Sequence, residues 1–273
     1  MTEIEVQVFA ASREILLRRA LAAVGSLLWL LFLVPPLSSW SSQYEFVQAI
    51  QFCCFAMIVP ALFALCRPWR WLGLASGQPL EIGSDGELVA PVHLHFVDRV
   101  ALRRMKNQSH NRLLILLFVF MVQAIAWRSS PVVNALQHRT WLTVIESAVL
   151  IVAGVLFWIE LIESTPLRPS ATRPYRIGVS AVAMWTVWVI AFITAMSHNS
   201  WNPVLQPGVA LVLSKSADQQ LTGSIMWFLS AAVFVPLVFI NLSRWLQSEE
   251  DPSSELTQLV RTEHARGFFG PKL

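Results

Sequence analysis

Glu146 stands in Trp141-Leu-Thr-Val-Ile-Glu-Ser147, near the start of a long apolar run. A carboxylate at such a depth in lipid is costly and usually has a partner or a task. Met196 and His198 leave the next apolar run two residues apart, and Asp218 precedes the run after that. With Arg128, His138 and Arg139 at neighbouring run ends, these side chains can line one polar pocket. Carboxylate, imidazole and thioether together suit a copper ion, the soft sulfur favouring Cu(I). A plainer reading pairs Glu146 with Arg139 or Arg128 to fix helix packing and leaves His198 in a solvated loop.

Sulfur offers a second candidate. Cys53 and Met57 are four positions apart, so a helix puts them on one face, with Cys54 beside them. Such pairs can bind Cu(I), and they also serve as small, polarizable packing residues. The expectation is at most one copper per chain, held by Met196, His198 and Glu146 with Asp218 nearby, or by Cys53 and Met57. Glu160 and Glu163 lie near Arg168 and Arg244, as interfacial ion pairs would. His93 and His95 share one side of an extended segment, where a metal would lack further ligands. None of the six His falls well inside an apolar run, which disfavours paired axial haem ligation. The chain carries no phosphate-cradling Gly loop, Gly-x-Ser-x-Gly elbow or His-Glu-x-x-His, so no enzymatic activity is expected.

The elements that must position these residues are membrane helices. The chain is 55% hydrophobic and 14% charged, against roughly 25% charged for a soluble domain. Its 12 Trp suit the membrane interface. A formal charge of +3 is too small to suggest nucleic acid, and three Cys inside one apolar run supply no disulfide framework. A helix needs about 20 apolar residues to cross the hydrocarbon layer. Six runs near that length predict spans at 20–38, 46–66, 111–128, 141–162, 177–197 and 221–243. The third is weakest, its unbroken apolar stretch covering only 113–127. The expected fold is therefore all-α, a polytopic membrane helix bundle. Its parts are a segment at 1–19, a six-helix unit at 20–246 and a tail at 247–273. No cleavable leader is expected, and the first helix is read as an anchor.

Positive residues are retained on the cytoplasmic side of a membrane. Placing both termini inside puts 17 Lys and Arg in inner segments and leaves only Arg128, Arg139 and Lys215 outside. The long inner connection at 67–110 contains Asp85-Gly86 between short apolar pairs, which suggests a small cytoplasmic hairpin between helices two and three. The basic residues after His95 alternate with apolar ones, as in an interfacial helix facing anionic lipid. In the tail, capping residues at 248–255 precede a short helix expected at 256–261.

Several stretches, in order, resemble the CtaG-type cytochrome c oxidase assembly family of multi-helix membrane proteins. They are Tyr44-Glu-Phe-Val-Gln-Ala-Ile-Gln51 with Pro60-Ala-Leu-Phe-Ala-Leu-Cys-Arg-Pro68, then Trp127-Arg-Ser-Ser-Pro131, then Glu146 with Gly154-Val-Leu-Phe-Trp158 and Glu160-Leu-Ile-Glu-Ser-Thr-Pro166. Asp218-Gln-Gln-Leu-Thr-Gly223, Trp227 and Arg244-Trp-Leu-Gln-Ser-Glu-Glu-Asp-Pro252 complete the series. The resemblance implies a multi-pass protein of the bacterial inner (plasma) membrane, with haem-copper oxidase subunits as partners and copper as a cofactor or cargo. Its task would be to assist copper insertion on the outer side. One departure separates the chain from the family pattern: helix two usually carries a Gln-His pair, whereas Gln48-Ala-Ile-Gln-Phe-Cys-Cys54 has no His. Three roles stay open: an assembly chaperone or scaffold, a structural subunit of a respiratory oxidase, and a copper transporter.

Overall fold

The computed structural model describes residues 3–75, 81–82, 88–89, 95–106, 110–164, 166–167, 169–197 and 213–250. His93, Arg168, His198 and the helix expected at 256–261 lie outside them. The described residues form α1 (Glu3–Leu33), α2 (Leu37–Gln43), α3 (Glu45–Cys53), a π-helical turn (Cys54–Ile58), α4 (Val59–Cys66) and α5 (Pro68–Trp71). Strands β1 (Glu81–Ile82) and β2 (Leu88–Val89) follow, then α6 (Phe96–Lys106), α7 (His110–Trp127) and α8 (Ser130–His138). The chain continues through α9 (Thr140–Leu161), α10 (Arg173–Met196) and α11 (Lys215–Glu250).

Among the described residues, five helical stretches are long and apolar enough to cross a membrane, and the α7–α8 pair makes a sixth if it counts as one broken span. The boundaries differ from expectation where proline intervenes. Helix α1 stops at Leu33, short of 38, because Pro35 and Pro36 follow and cannot continue its hydrogen-bond ladder. The third span is bent by 67° between α7 and α8. Ser129 is extended there, and Pro131 occupies the first turn of α8, where a missing N–H costs nothing. Helix α11 runs well past 221–243 at both ends. Residues 248–250 therefore belong to the helix, not to a cap.

The second span is continuous but not uniform. In a regular helix the ring of Pro60 would press on the carbonyl of residue 56. The chain widens instead into the π turn, where Val59 N–H bonds the Cys54 carbonyl five residues back. Helix α9 packs on this turn at Gly154, where a Cβ would come within 2.6 Å of Pro60 Cγ and 3.2 Å of the Ala56 oxygen. Helix α11 packs on α10 in the same way at Gly223, whose Cβ would meet the Ala191 oxygen at 2.6 Å. Close approach through small residues is how helices associate where lipid removes the hydrophobic drive.

An aromatic cluster ties α7, α9 and α11 together. Phe120 stacks on Phe157 at 5.0 Å, and Trp158 stacks on Phe234 at 5.3 Å. Outward faces of the same helices are apolar too, with Phe118, Ile125, Val152 and Phe228 exposed, as a lipid environment requires.

The helices alternate, so their ends form two faces. One gathers the starts of α3, α9 and α11 with the ends of α7 and α10. The other gathers the ends of α4, α9 and α11 with the starts of α7 and α10. Helix α6 docks on this second face through buried Asp98 and Ala101, leaving Arg99 and Arg103 exposed. Strands β1 and β2 pair antiparallel, Glu81 opposite Val89 and Ile82 opposite Leu88.

Candidate functional site

On the first face the first turn of α3 opens without a cap from its own neighbourhood, since Tyr44 contributes no side-chain hydrogen bond. The cap comes from α11. Asp218 Oδ2 accepts the Glu45 N–H at 2.8 Å, and Oδ1 accepts the Phe46 N–H at 3.0 Å. A carboxylate on a helix N-terminus satisfies orphan donors and complements the helix dipole. The next residue does the converse job: Gln219 donates to the carbonyl of Thr194 and, at 2.9 Å, to that of Ser197, closing the C-terminus of α10. Two consecutive side chains of α11 thus bind α3 and α10.

Glu45, placed by that cap, faces Arg128 at the end of α7. Oε1 and Nη2 are 3.4 Å apart, and both side chains are buried, 5% and 3% exposed. Arg128 also lies 6.0 Å over the Phe52 ring, and its Nε has no partner. Gln48, one turn along α3, donates to the Val133 carbonyl of α8 at 3.4 Å. Glu146 is 2% exposed on α9, within the electrostatic reach of Arg128. The plainer expectation is thus corrected in its partner: the ion pair of Arg128 is with Glu45, while Arg139 is exposed. Glu45 and Gln219 escaped notice as functional residues. The available signal was their polarity at the lip of an apolar span, inside the stretches quoted for the family resemblance.

The candidate donors among the described residues stand on different elements. Cys53 and Met57 are fully buried at the π turn, and Glu146 is buried on α9. Met196 is 62% exposed, beside a recess of about 470 Å³ shared with Ser197, Lys215 and Gln219. Both oxygens of Asp218 are occupied by backbone N–H groups. Among the described residues no group of three or more His, Cys, Asp or Glu is arranged to hold a metal ion. A larger apolar groove of about 690 Å³ opens between α7 and α10, with Arg128 and Ser129 at its end.

The second face is richer in charge. Glu160, fully buried at the end of α9, pairs with Arg104 of α6 and sits 3.8 Å from Arg112 of α7. It also accepts both the N–H and the hydroxyl of Ser170 at 3.0 Å. Glu163 faces Arg173, Arg176 and Arg244. The expected interfacial pairing of Glu163 with Arg244 is present, whereas Glu160 takes partners from the long connection.

A family model described as cytochrome c oxidase caa3 assembly factor (Caa3_CtaG) matches residues 8–248. No curated protein and no solved structure matches the chain.

Proposed function

The chain belongs to the cytochrome c oxidase caa3 assembly factor family, and from that membership we propose that it is a membrane scaffold on which a subunit of a haem-copper oxidase matures. In this reading it spans the bacterial plasma membrane six times, with α7 and α8 as one broken span. Both ends and the β1–β2 hairpin are cytoplasmic. The face built by Glu45, Arg128 and Asp218 lies outward, where copper enters the oxidase, and copper is cargo of the assembly and not a resident ion of this chain.

The observation that carries the reading is the cross-linked outer face. A charge pair this deep is retained at a cost in stability and is best understood as fixing one arrangement of helix ends. Asp218 and Gln219 hold α3 and α10 to α11, and Arg128 holds α7 to α3. Such a face is suited to presenting a fixed surface to a partner. A copper transporter needs ligands along the whole membrane depth, whereas Glu146, Met196 and Asp218 lie toward the outer face, which favours the scaffold role.

Deleting the chain should lower spectroscopically detectable oxidase, and supplementing the medium with copper should leave the deficit in place. Unchanged oxidase would remove the assembly role. Full rescue by copper would replace the scaffold with ion supply.

A further inference from the structure

We propose that Arg173, Arg176 and Arg244, gathered around Glu163, form a binding site for the phosphate group of an anionic membrane phospholipid. The guanidinium nitrogens lie 3.7, 3.6 and 3.5 Å from the Glu163 carboxylate. A charge-assisted bond to carboxylate runs about 2.7–2.9 Å. One carboxylate shared loosely among three guanidinium groups leaves two positive charges in excess. Arg67 approaches the same corner, donating to the Glu163 carbonyl at 2.9 Å.

Three further features point to an anion. Arg176 is 6% exposed, and its Nε is buried without a hydrogen-bond partner. An unsatisfied donor on a buried cation is costly unless a ligand completes it. Helix α10 begins here, and its N-cap, Thr172, makes no side-chain cap, so the positive end of a 24-residue helix faces the cluster. Tyr175 and Trp245 adjoin Arg176 and Arg244 in sequence, aromatic types that collect at headgroup level.

Position selects lipid as the source of the phosphate. The cluster sits where α9 ends, α10 begins and α11 leaves its apolar stretch, the depth at which lipid phosphates lie. The inference rests on the chain spanning a membrane, with this corner in the leaflet that holds the positive residues. Basic pockets between helices on that side suit anionic headgroups. It does not depend on the role in oxidase assembly, and its test does not read oxidase.

The test is lipid retention by the purified full-length chain in detergent, followed by native mass spectrometry with phosphatidylglycerol and phosphatidylcholine as probes. The unmodified chain should hold phosphatidylglycerol in preference to phosphatidylcholine. Arg173→Gln with Arg244→Gln should weaken that binding roughly tenfold or more, and the corresponding lysine pair should retain most of it. Both positions are partly exposed, so these variants should keep their helical circular dichroism. Glu163→Gln removes the competing carboxylate and should tighten binding, a change that a merely structural ion pair would not produce. Equal retention of the two lipids, indifference of phosphatidylglycerol to the arginine changes, or its displacement by millimolar inorganic phosphate would each overturn the proposal, the last by assigning the site to a soluble anion.

Discussion

Asp218 shows how one residue type supports two chemistries. Its sequence position suits a metal ligand at the outer face, yet both oxygens are engaged by the N–H groups of Glu45 and Phe46, 173 and 172 residues away. A cap supplied from so far along the chain leaves no local signature, which is why the sequence did not reveal it. Arg128 was legible as a charge in need of a partner, but the choice among Glu146, Glu45 and solvent depended on how α3 and α7 meet. The Glu45–Arg128 pair makes a direct prediction. Removing one member strands the other in a buried site, so Arg128→Met and Glu45→Gln should each destabilise the chain by about 3–5 kcal/mol. The double variant leaves no stranded charge and should recover at least half of the summed loss. A double-mutant cycle measured by unfolding in sodium dodecyl sulfate checks this. Losses that simply add would show that the two groups do not act on each other.

Among the elements, the apolar runs announced themselves by length, and their errors trace to proline. Pro35 and Pro36 cut the first span short, and Pro131 sits at the bend of the third. Pro60 instead left the second span continuous and changed its winding, because a local π adjustment accommodates the missing N–H within a bundle. The π turn also alters how Cys53 and Met57 are placed. An α-helical face calculation does not carry across it, although both side chains are buried as core packing would have them. Gly154 and Gly223 are where the sequence understated its own constraint. Neither the Pro60 ring nor the Ala191 carbonyl beneath the two glycines is visible without the packing. Gly154→Ala forces a shift of Pro60 at the π turn, and Gly223→Ala pushes a methyl onto a backbone oxygen. Overpacking of this kind costs about 1–3 kcal/mol. Thermal unfolding in detergent should place both variants below the unmodified chain. Gly178→Ala, where a Cβ meets nothing within 4 Å, should match or exceed it.

For the whole molecule, the strongest sequence signal was the distribution of charge, and the structure turns it into geometry. The face holding Arg128, Arg139 and Lys215 is the one cross-linked by Asp218 and Gln219, while Arg67, Arg104, Arg112, Arg173, Arg176 and Arg244 gather at the opposite end. Two faces so unequal in positive charge should insert in one orientation, with the arginine-rich end in the cytoplasm. The three native cysteines are buried and should not react with a membrane-impermeant thiol reagent, so single introduced cysteines report sidedness cleanly. Ser216 and Thr172 are exposed at opposite ends of the bundle. In intact spheroplasts Ser216→Cys should label at once, and Thr172→Cys only after the membrane is opened. The reverse pattern would invert the topology and move Glu45, Arg128 and Asp218 to the cytoplasmic side. That outcome would remove the outward placement on which the proposed scaffold role rests, so this one measurement of sidedness bears on the orientation and on the proposed task together.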